Sequence, residues 1–444
     1  MKLVNINKQI KYLLILISIA GILNANAQQI WTLHQCLDTA LVYNKTLQQG
    51  RNNIELGQQK QAEAKSNLIP MITANADYRY YYDLPYQYMP LSAFDGPEGQ
   101  FKQIQFGVPH NINANIQLTM PLYNPQIYGA IKTSKIAGEL SELQYLKSEE
   151  QVYFEISGLY YNAQILYHQL VFIDSNLINT RQLLKNIKLL NNQLLATGSD
   201  VDKVQLQLDQ LKTQKELVSS NYDQIINALK FSMGIGMDQS IEINPIIIYQ
   251  NSIEYTTTTP VDILIVRTQF KMLTSELNTL KNTWLPSLSL NGNYGTIGFG
   301  YAKKPNEFLD FHPVGFAGLQ LSIPLFNGTT TQKKIMQKKI EQKNSQIQLS
   351  LLAGQNEMQI LNASQKRSAA KSSVETSSKQ IELAKSVYDN TILQQRQGVA
   401  NLTEVLLADN SLREAQQNYL SAVVNYLKAD LELKKITGNI SFHK

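Results

Sequence analysis

Five histidines and one cysteine are the residues best suited to metal or nucleophile chemistry, and their spacing supports neither. His34, His110, His168, His312 and His443 have no i,i+4 partner among themselves, so no zinc-binding pattern forms. Cys36 is alone and cannot close a disulfide within the chain. Gly298-Phe299-Gly300 is too short for a phosphate cradle, and no G-x-x-x-x-G-K-[ST] occurs. Glu149 with Glu150 and Asp200 with Asp202 are the adjacent carboxylates that acid–base chemistry could use. They read as charges on helix surfaces, with nothing nearby to perturb their pKa. The sequence therefore predicts no enzyme, no metal and no cofactor. Without a nucleotide site, energy for any driven process must come from a partner.

The elements that carry these residues are unusual. Of 444 residues, 43% are hydrophobic and only 17% charged. Lys2, Lys8 and Lys11 precede the 12-residue apolar run Tyr12 to Leu23, too short for the roughly 20 residues of a membrane-spanning helix. Ala25-Asn26-Ala27 then supplies a small-x-small cleavage pattern, so 1–27 reads as an export signal. A membrane anchor is the competing reading. Removing the three lysines leaves 37 basic against 35 acidic residues, which is no nucleic-acid footprint.

The chain repeats itself. KSNLIPMITANADY (65–78) matches KNTWLPSLSLNGNY (281–294), QLTMPLYN (117–124) matches QLSIPLFN (320–327), and GSDVDKVQLQLDQL (198–211) matches VANLTEVLLADNSL (399–412). The offset falls from 216 to 203 between the first two blocks, so the first copy holds 13 extra residues between its prolines. We divide the chain into a first repeat at 28–234, a linker at 235–260, a second repeat at 261–438 and a tail at 439–444.

Four segments, at about 70–82, 112–121, 286–295 and 316–324, alternate with period two. Ile72, Ala74, Ala76 and Tyr78 oppose Thr73, Asn75 and Asp77, and Ile112, Ala114, Ile116 and Leu118 oppose Asn113, Asn115 and Gln117. Leu288, Leu290 and Tyr294 oppose Ser289, Asn291 and Asn293, and Ala317, Leu319, Leu321 and Ile323 oppose Gly318, Gln320 and Ser322. Uncharged amides and hydroxyls suit a wet lumen, and lengths near ten residues suit tilted membrane strands. A soluble sandwich is the competing reading. The connections differ: 79–111 is tyrosine-rich, 295–316 glycine-rich.

Long helices fill the rest, at 126–197 and 329–397, each roughly 100 Å if continuous. Pro125 suits a first helical turn. Leu159, Ala163, Leu166, Leu170, Ile173, Leu177, Thr180, Leu184, Ile187, Asn191 and Leu194 follow 4-3 steps, a coiled-coil seam. Shorter helices fall at roughly 33–65, 201–233, 262–284 and 402–436. Gly198 and Gly398 are placed to cap the long helices in left-handed conformation. Four strands cannot close a barrel, and an open sheet in lipid leaves edges unsatisfied at several kcal/mol per group. Closure must come from several copies of the chain.

LKNTWLPSLSLNG, QLSIPLFNG, TLHQCLDTALVYNKTL (32–47) and the segment NLTEVLLADNSLREAQQNYLSAVVNYLKADLELKKITG (401–438) resemble the outer-membrane efflux protein family, the TolC-like channels. The resemblance implies a mainly α fold with a membrane β-barrel. Duplicated helical hairpins would form a trimeric α-barrel, and four strands per subunit a 12-stranded outer-membrane β-barrel. A belt including 241–249 would ring the helices. The implied role is the exit duct of a tripartite efflux pump or type I secretion system, in outer-membrane lipid with a periplasmic extension. Its implied partners are a periplasmic adaptor (membrane fusion) protein and an inner-membrane transporter of RND or ABC class, with no nucleic acid. A non-conducting periplasmic coiled-coil adaptor or structural protein is the alternative.

The family often closes its periplasmic tip with G-x-x-x-x-x-D-x-x-D. Counted from Gly398, this chain has Glu404 and Leu407, so one carboxylate stands where two are expected. Lys203 is the first-copy counterpart of Glu404. An interaction between Glu404 and Lys203 across neighbouring coils is the gate the resemblance suggests; ordinary solvated charges are the competing reading. The adaptor would touch the helix-turn tips at Thr197, Gly198, Ser199, Gly398, Val399, Ala400 and Asn401.

Overall fold

A computed structural model describes residues 30–248, 254–300, 310–440 and 442. The export signal at 1–27, residues 249–253 of the linker, the loop at 301–309 and His443 lie outside them. In chain order the described residues form β1 (Ile30–Trp31), α1 (Leu33–Tyr43), α2 (Lys45–Ser66), β2 (Met71–Tyr80), β3 (Tyr86–Pro90), β4 (Phe101–Gln105), β5 (His110–Tyr123) and α3 (Pro125–Asn192). There follow α4 (Gly198–Met233), β6 (Glu242–Ile243), α5 (Val261–Lys281), β7 (Ser287–Gly300), β8 (Asp310–Ser322), α6 (Thr330–Arg396) and α7 (Leu402–Ile436). They pack as two units, each drawing on both repeats.

The first unit comprises residues up to Asn52, Leu143–Leu264 and Ser350 onward. Thr32 and Gln35 cap α1 reciprocally, the hydroxyl accepting from Gln35 N–H and the amide oxygen from Thr32 N–H. Asn44 ends it. Its Oδ1 accepts from Leu47 N–H to start α2, and its Nδ2 donates to Ser232 O at 2.6 Å. Cys36, Ala40, Leu47, Ile156, Ala163, Leu229 and Met233 are fully buried in the surrounding core. The short parallel ladder of β1 on β6 joins that core. Gln164 Nε2 donates to Asn244 O and Ile246 O at 2.8 and 2.9 Å, and His168 Nε2 meets Pro245 O at 2.9 Å. Two side chains of α3 thus pin the backbone of the expected belt, as far as it is described. Along the coil, Ile173, Leu177, Leu184 and Ile187 of α3 pack with Val204, Leu208 and Leu211 of α4. Val423, Tyr426 and Leu427 of α7 pack with Ile165 of α3 and Val374 of α6.

The seam does not run as far as its spacing suggests. Helix α3 ends at Asn192, and Leu194 is 92% exposed with φ 62°. It is Leu194, not Gly198, that takes the left-handed turn, with Leu195 N–H donating to Leu190 O at 2.9 Å. Gly198 instead opens α4 behind the Thr197 N-cap. The cause is local: Thr197 and Asp200 form a reciprocal cap that fixes the start of α4, and the chain must reverse before it. At the second turn Gly398 does adopt φ 76°.

The second unit comprises Asn53–Glu142 and Ile265–Leu349. Its sheet has the order β2–β5–β7–β8, antiparallel throughout. β7 and β8 run to 14 and 13 residues, longer than the alternation indicates. Gly295, Gly298 and Gly300 carry no side chain to show a period, yet their backbones continue the ladder. The tyrosine-rich connection contains a separate hairpin, β3 on β4, which accounts for the extra length of the first copy. No helix among the described residues is long and apolar enough to cross a membrane.

Candidate functional site

Cross-strand register sorts the sheet into two faces. One row set reads Ile72, Leu118, Gly292, Ala317 and Ala74, Ile116, Tyr294, Gly315; farther along, Met120, Leu290 and Leu319 align. The other reads Thr73, Gln117, Asn293 and, from the helix-proximal end, Thr119, Asn291 and Gly318. On that face Asn75 Nδ2 donates to Asn115 Oδ1 at 3.4 Å and Asn291 Nδ2 to Gln320 Oε1 at 2.9 Å. The face is amide-lined near the helices. Toward the far end the rows become mixed: Ile297 and Phe299 of β7 stand opposite Asn113 and Asn111 of β5, with Asp77 and Arg79 of β2 and Asp310 and His312 of β8 in the same rows. β2 and β8 have no further partner strand among the described residues.

The helices of this unit repeat the order of the strands. Gly57 of α2 lies against Ser141 and Gly138 of α3. Thr133 of α3 donates to Ser275 Oγ of α5 at 2.9 Å, and a Cβ on Gly129 would collide with Thr279. Glu276 of α5 pairs with Lys338 of α6 at 2.8 Å, and Gln342 donates to Thr274 Oγ1 at 2.8 Å. The sequence α2–α3–α5–α6 thus matches β2–β5–β7–β8, with α2 and α6 at its ends.

At the tips the candidate residues separate. Thr197, Gly198, Ser199, Gly398, Val399 and Asn401 are exposed, while Ala400 is buried. Leu194 and Leu195, which the spacing assigned to a seam or to nothing, are exposed beside them. Glu404 faces solvent, and its carboxylate accepts from Asn401 N–H at 3.1 Å in a reciprocal cap. Lys203 Nζ lies 3.4 Å from Asp200 Oδ1. Within the chain the structure does not bring Glu404 and Lys203 together, because each is engaged with its own helix start.

Three groups escaped the sequence. Asp409 is buried on α7, held by Arg413 Nη2 at 2.6 Å and by Gln207 Nε2 from α4. Burial pushes its carboxyl up, while Arg413 and Gln207 pull it down. Its signal was a carboxylate among Val405, Ala408 and Leu412, with arginine four residues on. Asp430 takes Arg367 Nε at 2.6 Å and the Tyr255 hydroxyl at 2.8 Å, tying the linker to α6 and α7. Glu149 and Glu150 correct the expectation of two surface charges: Glu149 is buried, and burial, with Asp262 nearby, pushes Glu150 up to about 7. Asp200 is shifted too, downward, by its hydrogen bonds to Thr197 and by Lys203. Helix phase alone did not show that Asp262 and Lys435 come from distant segments to enclose Glu150.

Residues 267–439 match the profile of the family described as outer membrane efflux protein. No curated protein matches the sequence. Among solved structures, the outer membrane protein VceC of Vibrio cholerae superimposes with a TM-score of 0.74 at 15% identity, covering 91% of this chain and 96% of that one. The CmeC outer membrane channel of Campylobacter jejuni gives 0.73 at 14% identity, covering 91% and 85%. At such identities the likeness is one of fold. By sequence over its second repeat and by fold along nearly all its length, the chain resembles the outer membrane efflux proteins, the TolC-like channels.

Proposed function

We infer that the protein is an outer-membrane exit duct, a passive channel that carries solute or polypeptide out of the periplasm for a partner that supplies the energy. The observation that carries this is the shared lateral order of strands and helices, which ends at two open edges. The β2 edge and the β8 edge differ, so copies that join one to the other meet head to tail, a contact that closes into a ring when the rotation between copies closes. Three copies would give a 12-stranded barrel with an amide-lined lumen continuing into a ring of helices. Met336, Ile340, Leu351 and Met358 leave half or more of their surface uncovered on α6, the end helix a neighbouring copy would meet. The exposed turns, with Leu194, Leu195 and Val399, are the surface for a periplasmic adaptor, which would link the duct to an inner-membrane transporter of RND or ABC class.

Glu404 and Lys203 are the gate candidates, three of each in a trimer. Reconstitution in planar bilayers tests both points. The oligomer is expected to conduct, and Glu404→Gln is expected to raise conductance or abolish block by divalent cations. Absence of any conductance removes the duct; conductance and block unchanged by the substitution remove Glu404 from the gate.

A further inference from the structure

The β3–β4 hairpin wears its aromatic residues on the wrong side for a protein that only needs to fold. Directly paired residues share a face in an antiparallel ladder. Tyr86 opposes Gln105, Tyr88 opposes Gln103 and Pro90 opposes Phe101 on one face; Gln87 opposes Ile104 and Met89 opposes Lys102 on the other. On the second face Met89 and Ile104 are half-buried while Gln87 and Lys102 are exposed, so the apolar side chains that do find cover lie on that side. On the first, Tyr86, Tyr88 and Phe101 are 62, 69 and 63% exposed. Neither tyrosine hydroxyl nor the Gln103 amide has a hydrogen-bond partner among the described residues. No charged residue lies on this face; the single lysine of the ladder, Lys102, points to the other.

We propose that this aromatic and amide face binds neutral sugar rings, those of the polysaccharide borne by outer-leaflet lipopolysaccharide. Flat apolar rings with polar tips can lie against the C–H face of a pyranose, and an unpaired amide offers both donors and an acceptor to its hydroxyls. The absence of charge selects against phosphate-rich inner sugars and lipid headgroups. Topology places the surface: α2 enters β2 and α3 leaves β5 at one end of the sheet, so the connection between them lies at the opposite end. This rests on the exit-duct reading, which puts the helices in the periplasm and the hairpin outside the cell.

Purified oligomer is challenged with smooth lipopolysaccharide, which bears the polysaccharide, and with deep-rough lipopolysaccharide, which lacks it. The wild type is expected to prefer the smooth form by roughly tenfold or more, a gap two aromatic contacts can supply. Tyr86→Ser with Tyr88→Ser should erase that preference, and Lys102→Ala should keep it. Equal binding of both forms by the wild type, or a preference unchanged in the double variant, overturns the proposal. So does a Gln103→Cys thiol that stays unreactive in the purified oligomer, since a neighbouring copy would then cover the face. Gln87→Cys labelled from outside intact cells separates the two levels. Cys36 gives little background, being fully buried with its thiol pushed up to about 12. A thiol labelled only after lysis removes the orientation itself, and the sugar site with it; a labelled thiol without sugar preference removes the sugar site alone.

Discussion

Leu194 holds a left-handed conformation that a leucine adopts at a cost of about 1 kcal/mol, and its side chain is almost wholly in water. Backbone hydrogen bonds hold the turn, but among the described residues little covers the side chain, which fits a leucine kept for a partner. Leu194→Gly is expected to raise the melting temperature slightly while weakening adaptor capture; a lower melting temperature would show that the leucine stabilises the turn. Glu150 is the second residue whose environment disagrees with its type. Its carboxyl stays protonated up to about 7 in the fold, against about 4.5 ordinarily. Folding stability is therefore fully present below the ordinary value and is lost as pH rises through about 7. Partial exposure screens the effect to the order of 1 kcal/mol. Glu150→Gln cannot ionise, so melts at pH 5 and pH 8 should differ less for the variant than for the wild type.

At the scale of elements, joints between helices do the positioning. Asn44 simultaneously starts α2 and holds the end of α4, and it is buried while doing so. Gly234, with φ 77°, has no room for a Cβ beside the Tyr43 carbonyl. Asn44→Ala loses a cap and leaves the Ser232 carbonyl unpaired, at an expected cost of about 2–3 kcal/mol. Thermal unfolding in detergent checks this. An unchanged melting temperature would mean that the α1–α4 joint is held by apolar packing alone.

The whole molecule turns on its two unlike edges. Oxidising chains that carry cysteines in both β2 and β8, such as Asn75→Cys with Val314→Cys and its register neighbours, should yield covalent species up to a closed ring of three. A two-fold dimer would pair β2 with β2 and stop at two, and such a result would discard the head-to-tail arrangement. A closed ring would also explain why polar amides lie on one face of a sheet whose other face is apolar: the amide face would be wet inside the wall.

Period-two alternation and unbroken helical runs were legible because each depends on neighbours in sequence: Ile72 and Ala74 share a face whatever else the chain does. The duplication was visible for the same reason. What the residues could not announce were the meetings of distant segments. Asp409 became buried only when Gln207 arrived from the first repeat. Glu150 was desolvated only once the start of α5 and the end of α7 closed around it. The end of α3 was decided by competition between a continuing seam and the cap that follows it, a balance of a few kcal/mol that spacing does not reveal. Local periodicity thus determined the elements, and long-range packing, which alone sets dielectric and partners, decided which side chains carry strain, charge or contact.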